Sequence, residues 1–221
     1  MTHTLLAFLG ACTLIAASPG PSSVLIIRHS LQSRRAGFLA VLGNETGVFV
    51  WGLAAAFGLT GLLAASQLAY DIMRIVGAVV LVGFGVQAIR AARRDGLTGF
   101  TAAGSTDAGA RAGAEAGAER EPGSGRRAYR AALTLNLANP KAAVFAMSFL
   151  PQFVPHGAPQ LPTMVALAAI WAVYEIGYYG LYVWFVGRMR TVLSRAKVRR
   201  RLEQTSGGVM VALGIRMAVE S

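Results

Sequence analysis

Long apolar blocks, each about the length of a membrane-crossing helix, alternate along this chain with short polar stretches. Neither the two-residue alternation of a half-buried strand nor the one-sided pattern of a soluble helix organises them. A helix that crosses hydrocarbon needs about 20 mostly apolar residues. Six segments fit: Leu5–Ile27, Gly37–Ala65, Leu68–Ile89, Ala131–Val154, Thr163–Val186 and Ser206–Val219. The second is long enough to tilt, and the sixth is short. The expected fold class is an all-α integral membrane protein with six transmembrane helices.

Composition agrees. Of 221 residues, 54% are hydrophobic and 14% charged, with a mean hydropathy of +0.51. A soluble domain carries about 25% charged residues. The net charge of +11 would suggest nucleic acid in a soluble protein, but in a membrane protein Lys and Arg mark the cytoplasmic loops. Eighteen of the 21 basic residues fall in alternate loops. Arg28, Arg34 and Arg35 follow the first segment, a group from Arg90 to Arg130 follows the third, and a group from Arg188 to Arg201 follows the fifth. Residues 155–162 carry no Lys or Arg. Six spans with both termini on the non-cytoplasmic side satisfy the positive-inside rule, whereas five would put one strong basic cluster outside. Lipid is then the expected surrounding, with no nucleic-acid partner.

The stretch before Ala16-Ala17-Ser18 has the length of a signal peptide, but no basic region precedes it and Pro19 and Pro21 follow at once. The single Cys12 excludes an intramolecular disulfide. With His3, His29 and His156 scattered, no soft-metal site is expected and no cofactor is implied. There is no nucleotide-binding loop, HExxH or GxSxG, so the chain does not read as an enzyme.

Residues 95–127 are rich in Gly, Ala and mixed charge, too poor in large apolar side chains to build a core. They divide the chain into a three-helix repeat at 1–90, a flexible basic cytoplasmic linker at 91–130 and a second three-helix repeat at 131–221. An odd number of spans per half inserts the two repeats in opposite orientations. The halves share a mark: SPGPSSVLII in the first segment and ANPKAAVFAM in the fourth, each a proline-interrupted helix. Matched interruptions in the two halves of an inverted repeat point to a transporter's binding site.

Three ionisable residues lie near mid-depth. Lys141 is about 16 Å from Arg130, Glu45 about 15 Å from Arg35, and Glu175 about 20 Å from either end of its segment, at helical rise. A charge at that depth costs ~2.5–3.5 kcal/mol and needs a partner, water or neutralisation. Lys141 bonded to one glutamate would be structural. Two acids against one lysine leave a carboxyl for a proton or a cation. Pro19-Gly20-Pro21 removes two amide donors, and such backbone is tolerated in lipid only where protein or a watery cavity satisfies it. Ser22, Ser23, Asn44, Asn136 and Asn139 flank the interruptions and can supply hydrogen bonds. Gly43 and Gly47 have the spacing that allows close helix approach. Tyr174 and Tyr178, flanking Glu175, are expected to face a cavity.

SPGP in the first segment, LxNPKAAVFxxxFLPQF from Leu135 to Phe153, and SGGVMVALGIR from Ser206 to Arg216 together resemble the LysE/RhtB family of amino-acid exporters. The likeness covers the chain except the linker, which is unusually long. Where relatives often carry an aspartate beside a glycine in the second span, this chain has Glu45 between Asn44 and Thr46. The resemblance implies a six-span exporter of the bacterial inner membrane, driven by the ion gradient and releasing amino acids or related small metabolites. It implies Pro19, Gly20 and Pro21 in one half, and Asn139, Pro140 and Lys141 in the other, as the frame of the substrate site. Glu175 enters on depth alone.

The expected function is therefore secondary export of an amino acid or small zwitterion, with protons as the coupling ion. Substrate would meet Pro19–Ser22, Asn44 and Asn139–Lys141, with Glu45 and Glu175 handling the substrate ammonium or the coupling proton. A homo-oligomer is compatible with this. The alternatives are a membrane scaffold or regulator that docks through its basic loop, and an exporter of hard inorganic ions.

Overall fold

The computed structural model describes residues 2–17, 20–94, 124–155, 157–185 and 196–219, and among them all regular structure is helical. The helices are α1 (Thr2–Ala17), α2 (Pro21–Gln32), α3 (Arg34–Ala65), α4 (Gln67–Arg94), α5 (Ser124–Leu137), α6 (Pro140–Phe149), α7 (Gln160–Trp184) and α8 (Ala196–Val219). A 3-10 turn, Leu150–Phe153, extends α6. The linker expected at 91–130 is entered by α4 as far as Arg94 and by α5 from Ser124, and its residues 95–123 lie outside the described residues.

Local chemistry explains the boundaries. Pro21 and Pro140 each occupy the first helical position, where the missing N–H costs nothing. Ser33 is extended, and its Oγ accepts the Ala36 N–H at 3.0 Å, capping the start of α3. The first expected segment is thus two helices bent by 67°. The fourth is α5 and α6, separated by Ala138 and Asn139. The sixth begins ten residues earlier than its apolar stretch, because α8 continues back through the Arg-rich residues from Ala196.

By length and hydropathy, Arg34–Leu62, Asp71–Arg90 and Gln160–Trp184 can cross a membrane, and the bent α1–α2 pair would make a fourth span. The surface supports the same environment. Leu6, Phe57, Leu68, Val79, Val173 and Leu181 are each at least 60% exposed, while Asn44, Glu45, Asn136 and Glu175 are buried. Water would favour the opposite arrangement.

Helix α3 stands at the centre, against α2, α4, α5, α6 and α7, and α4 packs mainly on α8. Glycines permit the close approaches. A Cβ at Gly43 would collide with the Tyr129 carbonyl of α5, and one at Gly47 would lie 2.7 Å from Asn136 Oδ1. The expected Gly43–Gly47 seam is therefore the α3–α5 contact. Gly85 and Gly207 do the same for α4 and α8. Two hydrophobic clusters result. One contains the stacked and edge-on rings of Phe8, Phe145, Phe149, Phe153 and Trp171, and the other joins α2, α3, α5 and α7 around Tyr179 and Tyr182.

Candidate functional site

A cavity of about 110 Å³ lies at the seam between the two clusters, where Phe145 and Trp171 of one meet Ala16 and Tyr179 of the other. By this measure a single water needs about 10–15 Å³, so the space holds several waters or one small metabolite. Both helix interruptions open into it. Gly20, Pro21, Ser22 and Ser23 come from the first, and Asn136, Asn139 and Ala142 from the second. Helix α3 contributes Asn44, and α7 contributes Glu175.

The interruptions are built from the bonds that proline forbids. In a continuous helix the Pro140 nitrogen would donate to the Asn136 carbonyl, and it cannot. Trp51 Nε1–H donates to that carbonyl instead, at 3.3 Å, and the Asn139 N–H joins it at 3.0 Å. At the first break, Pro19 and Pro21 remove the donors that Ile15 and Ala17 carbonyls would use. The Ala16 carbonyl between them accepts the Tyr179 hydroxyl at 3.2 Å. Each broken helix is therefore tied by an aromatic donor on the long helix of the other half: Trp51 on α3 and Tyr179 on α7.

The N-terminus of α2 opens on this cavity. Its first-turn amides have no intrahelical carbonyl to bond, and they sit at the positive end of the helix dipole. Such a terminus suits a carboxylate or another anion. The N-terminus of α6, at Asn139 and Ala142, reaches the same cavity from the other half.

The polar groups around the cavity form a chain. Asn136 Nδ2–H donates to Asn44 Oδ1 at 3.0 Å, and Asn44 Nδ2–H donates to Glu45 Oε1 at 2.8 Å. Glu45 is 1% and Glu175 3% exposed; they lie on the packed helices α3 and α7, close enough to interact electrostatically. Glu45 Oε2 and Glu175 Oε1 are buried without a hydrogen-bond partner. Two buried acids thus each leave an oxygen without a hydrogen bond, with the Trp171 indole beside Glu175 as a neutral donor, an arrangement that calls for a proton or a cation.

Of the residues expected at a site, Gly20, Pro21, Ser22, Asn44, Asn139 and Glu175 line the cavity, and Glu45 stands behind Asn44 and Glu175. Pro19 and the side chains of Pro140 and Lys141 lie outside the described residues; the backbone of Lys141 is in the first turn of α6. The expected tyrosines need correction. Tyr174 shares a 2.6 Å hydrogen bond with Thr13, and Tyr178 pairs with Tyr182 at 3.2 Å. The tyrosine that lines the cavity is Tyr179. It follows Glu175 by four residues, and Trp171 precedes it by four, so the three share one face of α7. Spacing was part of the signal, since it turns Tyr174, one position away, off this face; Tyr178, three positions on, is allowed there by spacing and is drawn instead to Tyr182. Among the described residues no group of His, Cys, Asp or Glu has the make-up of a metal site.

Comparison with known proteins gives a consistent result. The family model described as LysE type translocator matches residues 13–221. The chain is 26% identical over 213 residues to the homoserine/homoserine lactone efflux protein of Salmonella typhimurium, spanning 96% of this chain and 94% of that one. It is 30% identical over 205 residues to an uncharacterised membrane protein of Pseudomonas aeruginosa, spanning 90% and 88%. It is 22% identical over 219 residues to an uncharacterised membrane protein of Bacillus subtilis, spanning 97% and 98%. No solved structure matches the chain.

Proposed function

The chain belongs to the LysE type translocators, transporters rather than enzymes, and from that premise we propose that it exports amino acids by alternating access in exchange for protons. The membrane is the bacterial inner membrane, crossed six times, with both termini on the non-cytoplasmic side. In this arrangement α1–α2, α3 and α4 form one repeat, and α5–α6, α7 and α8 form the other, inverted. The observation that carries the proposal is the meeting of both proline interruptions, Asn44 and Glu175 on one cavity.

Each part of that cavity suits one part of a zwitterion. The substrate carboxylate sits at the N-terminus of α2, where first-turn amides without an intrahelical partner favour negative charge, and the dipole of α6 adds to the favourable potential from the other side of the cavity. Lys141, in the first turn of α6, adds a full positive charge for the same carboxylate. The ammonium faces Glu175, backed by Glu45. The remaining wall, Ile15, Val48 and Phe145, is apolar and accepts a short side chain.

Efflux from proteoliposomes loaded with a panel of labelled amino acids, homoserine among them, tests this. Lys141→Ala is expected to lower efflux at least tenfold for every member transported by the wild type. Unchanged efflux in that variant would overturn the assignment of the carboxylate site. Removal of the proton gradient is expected to abolish accumulation against a concentration gradient.

A further inference from the structure

We propose that Glu45 and Glu175 form one shared site that holds either a proton or the substrate's ammonium, never both, and that this exclusion couples export to proton entry. The inference rests on the export function proposed above and specifies how its two ligands meet.

The geometry is that of a single binding position with two acids behind it. Glu175 lines the cavity, and Glu45 lies beyond it, fixed by the Asn44 amide on its other oxygen. Each carboxyl keeps one oxygen buried and without a hydrogen-bond partner, and the two groups are close enough to feel each other's charge. Two carboxylates that close, away from water, cannot both stay ionised with nothing between them. In the empty cavity one proton therefore bridges the pair.

An ammonium group arriving at Glu175 supplies the positive charge that the proton had supplied. One N–H–oxygen ion pair forms, the bridging O–H bond breaks, and that proton leaves to water on the same side of the membrane. After the substrate is released on the far side, the pair takes one proton from that side before the cavity turns back. One zwitterion moves out and one proton moves in, so protons balance over the cycle.

Other groups that face the pair do not supply this proton at neutral pH. Cys12 of α1 and Tyr178 and Tyr179 of α7 lie nearby, but a thiol and phenols of ordinary acidity keep their protons at neutral pH. Asn136 of α5 and Ser23 of α2 do not titrate in this range. Lys141 of α6 is assigned to the carboxylate end of the substrate.

Proton release on binding tests the proposal directly. Purified full-length protein in weakly buffered detergent is mixed with the amino acid that the efflux panel shows to be exported fastest, and released protons are read with a soluble pH indicator. The expected result is up to one proton released per substrate bound, with apparent affinity weakening about tenfold per unit of falling pH while the pair is protonated. Glu45→Gln keeps the size of the side chain and an acceptor for Asn44, and it is expected to remain folded by thermal unfolding while releasing no proton. Binding without release anywhere from about pH 5 to about pH 9, or release that persists in Glu45→Gln, overturns the shared site and leaves the export function standing. Wild-type protein that exports no amino acid at all overturns both.

Discussion

The two helix breaks solve one problem differently. At the second break, Pro140 removes one donor, and both replacement donors go to the very carbonyl it orphans, that of Asn136. The neighbouring amides are also bonded, Ala138 N–H to the Thr134 carbonyl and Ala142 N–H to the Asn139 carbonyl. At the first break two prolines remove two donors, and the Tyr179 hydroxyl goes to the carbonyl between the two that they orphan. Gly20 is fully extended there, with no side-chain cap on α2. The second break is a tight, saturated turn that fixes side chains: Asn136 and Asn139 are held to face the cavity. The first is open, and what it presents is backbone. For the carboxylate binding and alternating access proposed above, one of each is of use, a rigid wall with placed side-chain amides and a looser wall with bare backbone ones.

If the second break is the rigid one, disturbing its seat is expected to cost most. Helix α5 lies on α3 at Gly43, where an added methyl would meet the backbone of Tyr129 rather than a side chain able to move aside. Gly43→Ala is expected to destabilise the protein by about 3 kcal/mol, the upper end for overpacking a tight contact, read as a lowered thermal transition in detergent. Asn136, one step down the same face, would lose its hold on Asn44, and export would fall with stability. A Gly43→Ala protein with unchanged unfolding would show that the α3–α5 seat is not rigid.

Much of this was legible in the chain itself, because membrane helices announce themselves by length and prolines by their missing donors. The apolar blocks, both breaks, the Gly43–Gly47 seam and the burial of Asn44, Glu45 and Glu175 follow from spacing and depth. What escaped was rotation about the helix axis. Tyr174 is next to Glu175 in sequence, but an α-helix turns about 100° per residue, so nearness along the chain does not put it on the same face. Tyr178, which spacing would allow, pairs with Tyr182 instead. Tyr179 and Trp171, four residues either side, do share that face. The Trp51 donor was illegible for another reason. It lies 85 residues from its acceptor, and only the packing of α3 on the second break brings the two together. The start of α8 was missed because hydropathy stops at the edge of the apolar core, whereas its first turns, built from good helix formers such as Ala, Arg, Lys, Leu, Glu and Gln, continue beyond it.

The first break offers the next effect in size. Tyr179→Phe removes a hydroxyl from the Ala16 carbonyl and keeps the ring within its aromatic and aliphatic neighbours. One hydrogen bond of this kind contributes about 1 kcal/mol, and the loss is larger where the abandoned acceptor is shielded from water. The cavity opens beside Ala16, so water can re-enter and limit the cost. The expected result is a loss of about 1 kcal/mol in stability with a larger effect on transport, because the angle between α1 and α2 is no longer pinned. Efflux measured beside thermal unfolding separates the two, and an unaltered rate would mean that Tyr179 does not set that angle.

The smallest effect belongs to Trp51, although its bond was the one least expected. Trp51→Phe deletes the Nε1–H that reaches the Asn136 carbonyl, at 3.3 Å already a long bond. That carbonyl keeps the Asn139 N–H at 3.0 Å, so no acceptor is left bare, and the full penalty for an unsatisfied buried group is not incurred. Truncating indole to phenyl also removes some packing on a half-buried face. Together these amount to about 0.5–1 kcal/mol by the usual scale of a single redundant hydrogen bond. The ordering is the sharper test. If Trp51→Phe proves more damaging than Tyr179→Phe when both are unfolded thermally in the same detergent, then the Asn139 bond does not compensate. The second break would then be the more fragile of the two, held by one distant indole rather than by its own saturated turn.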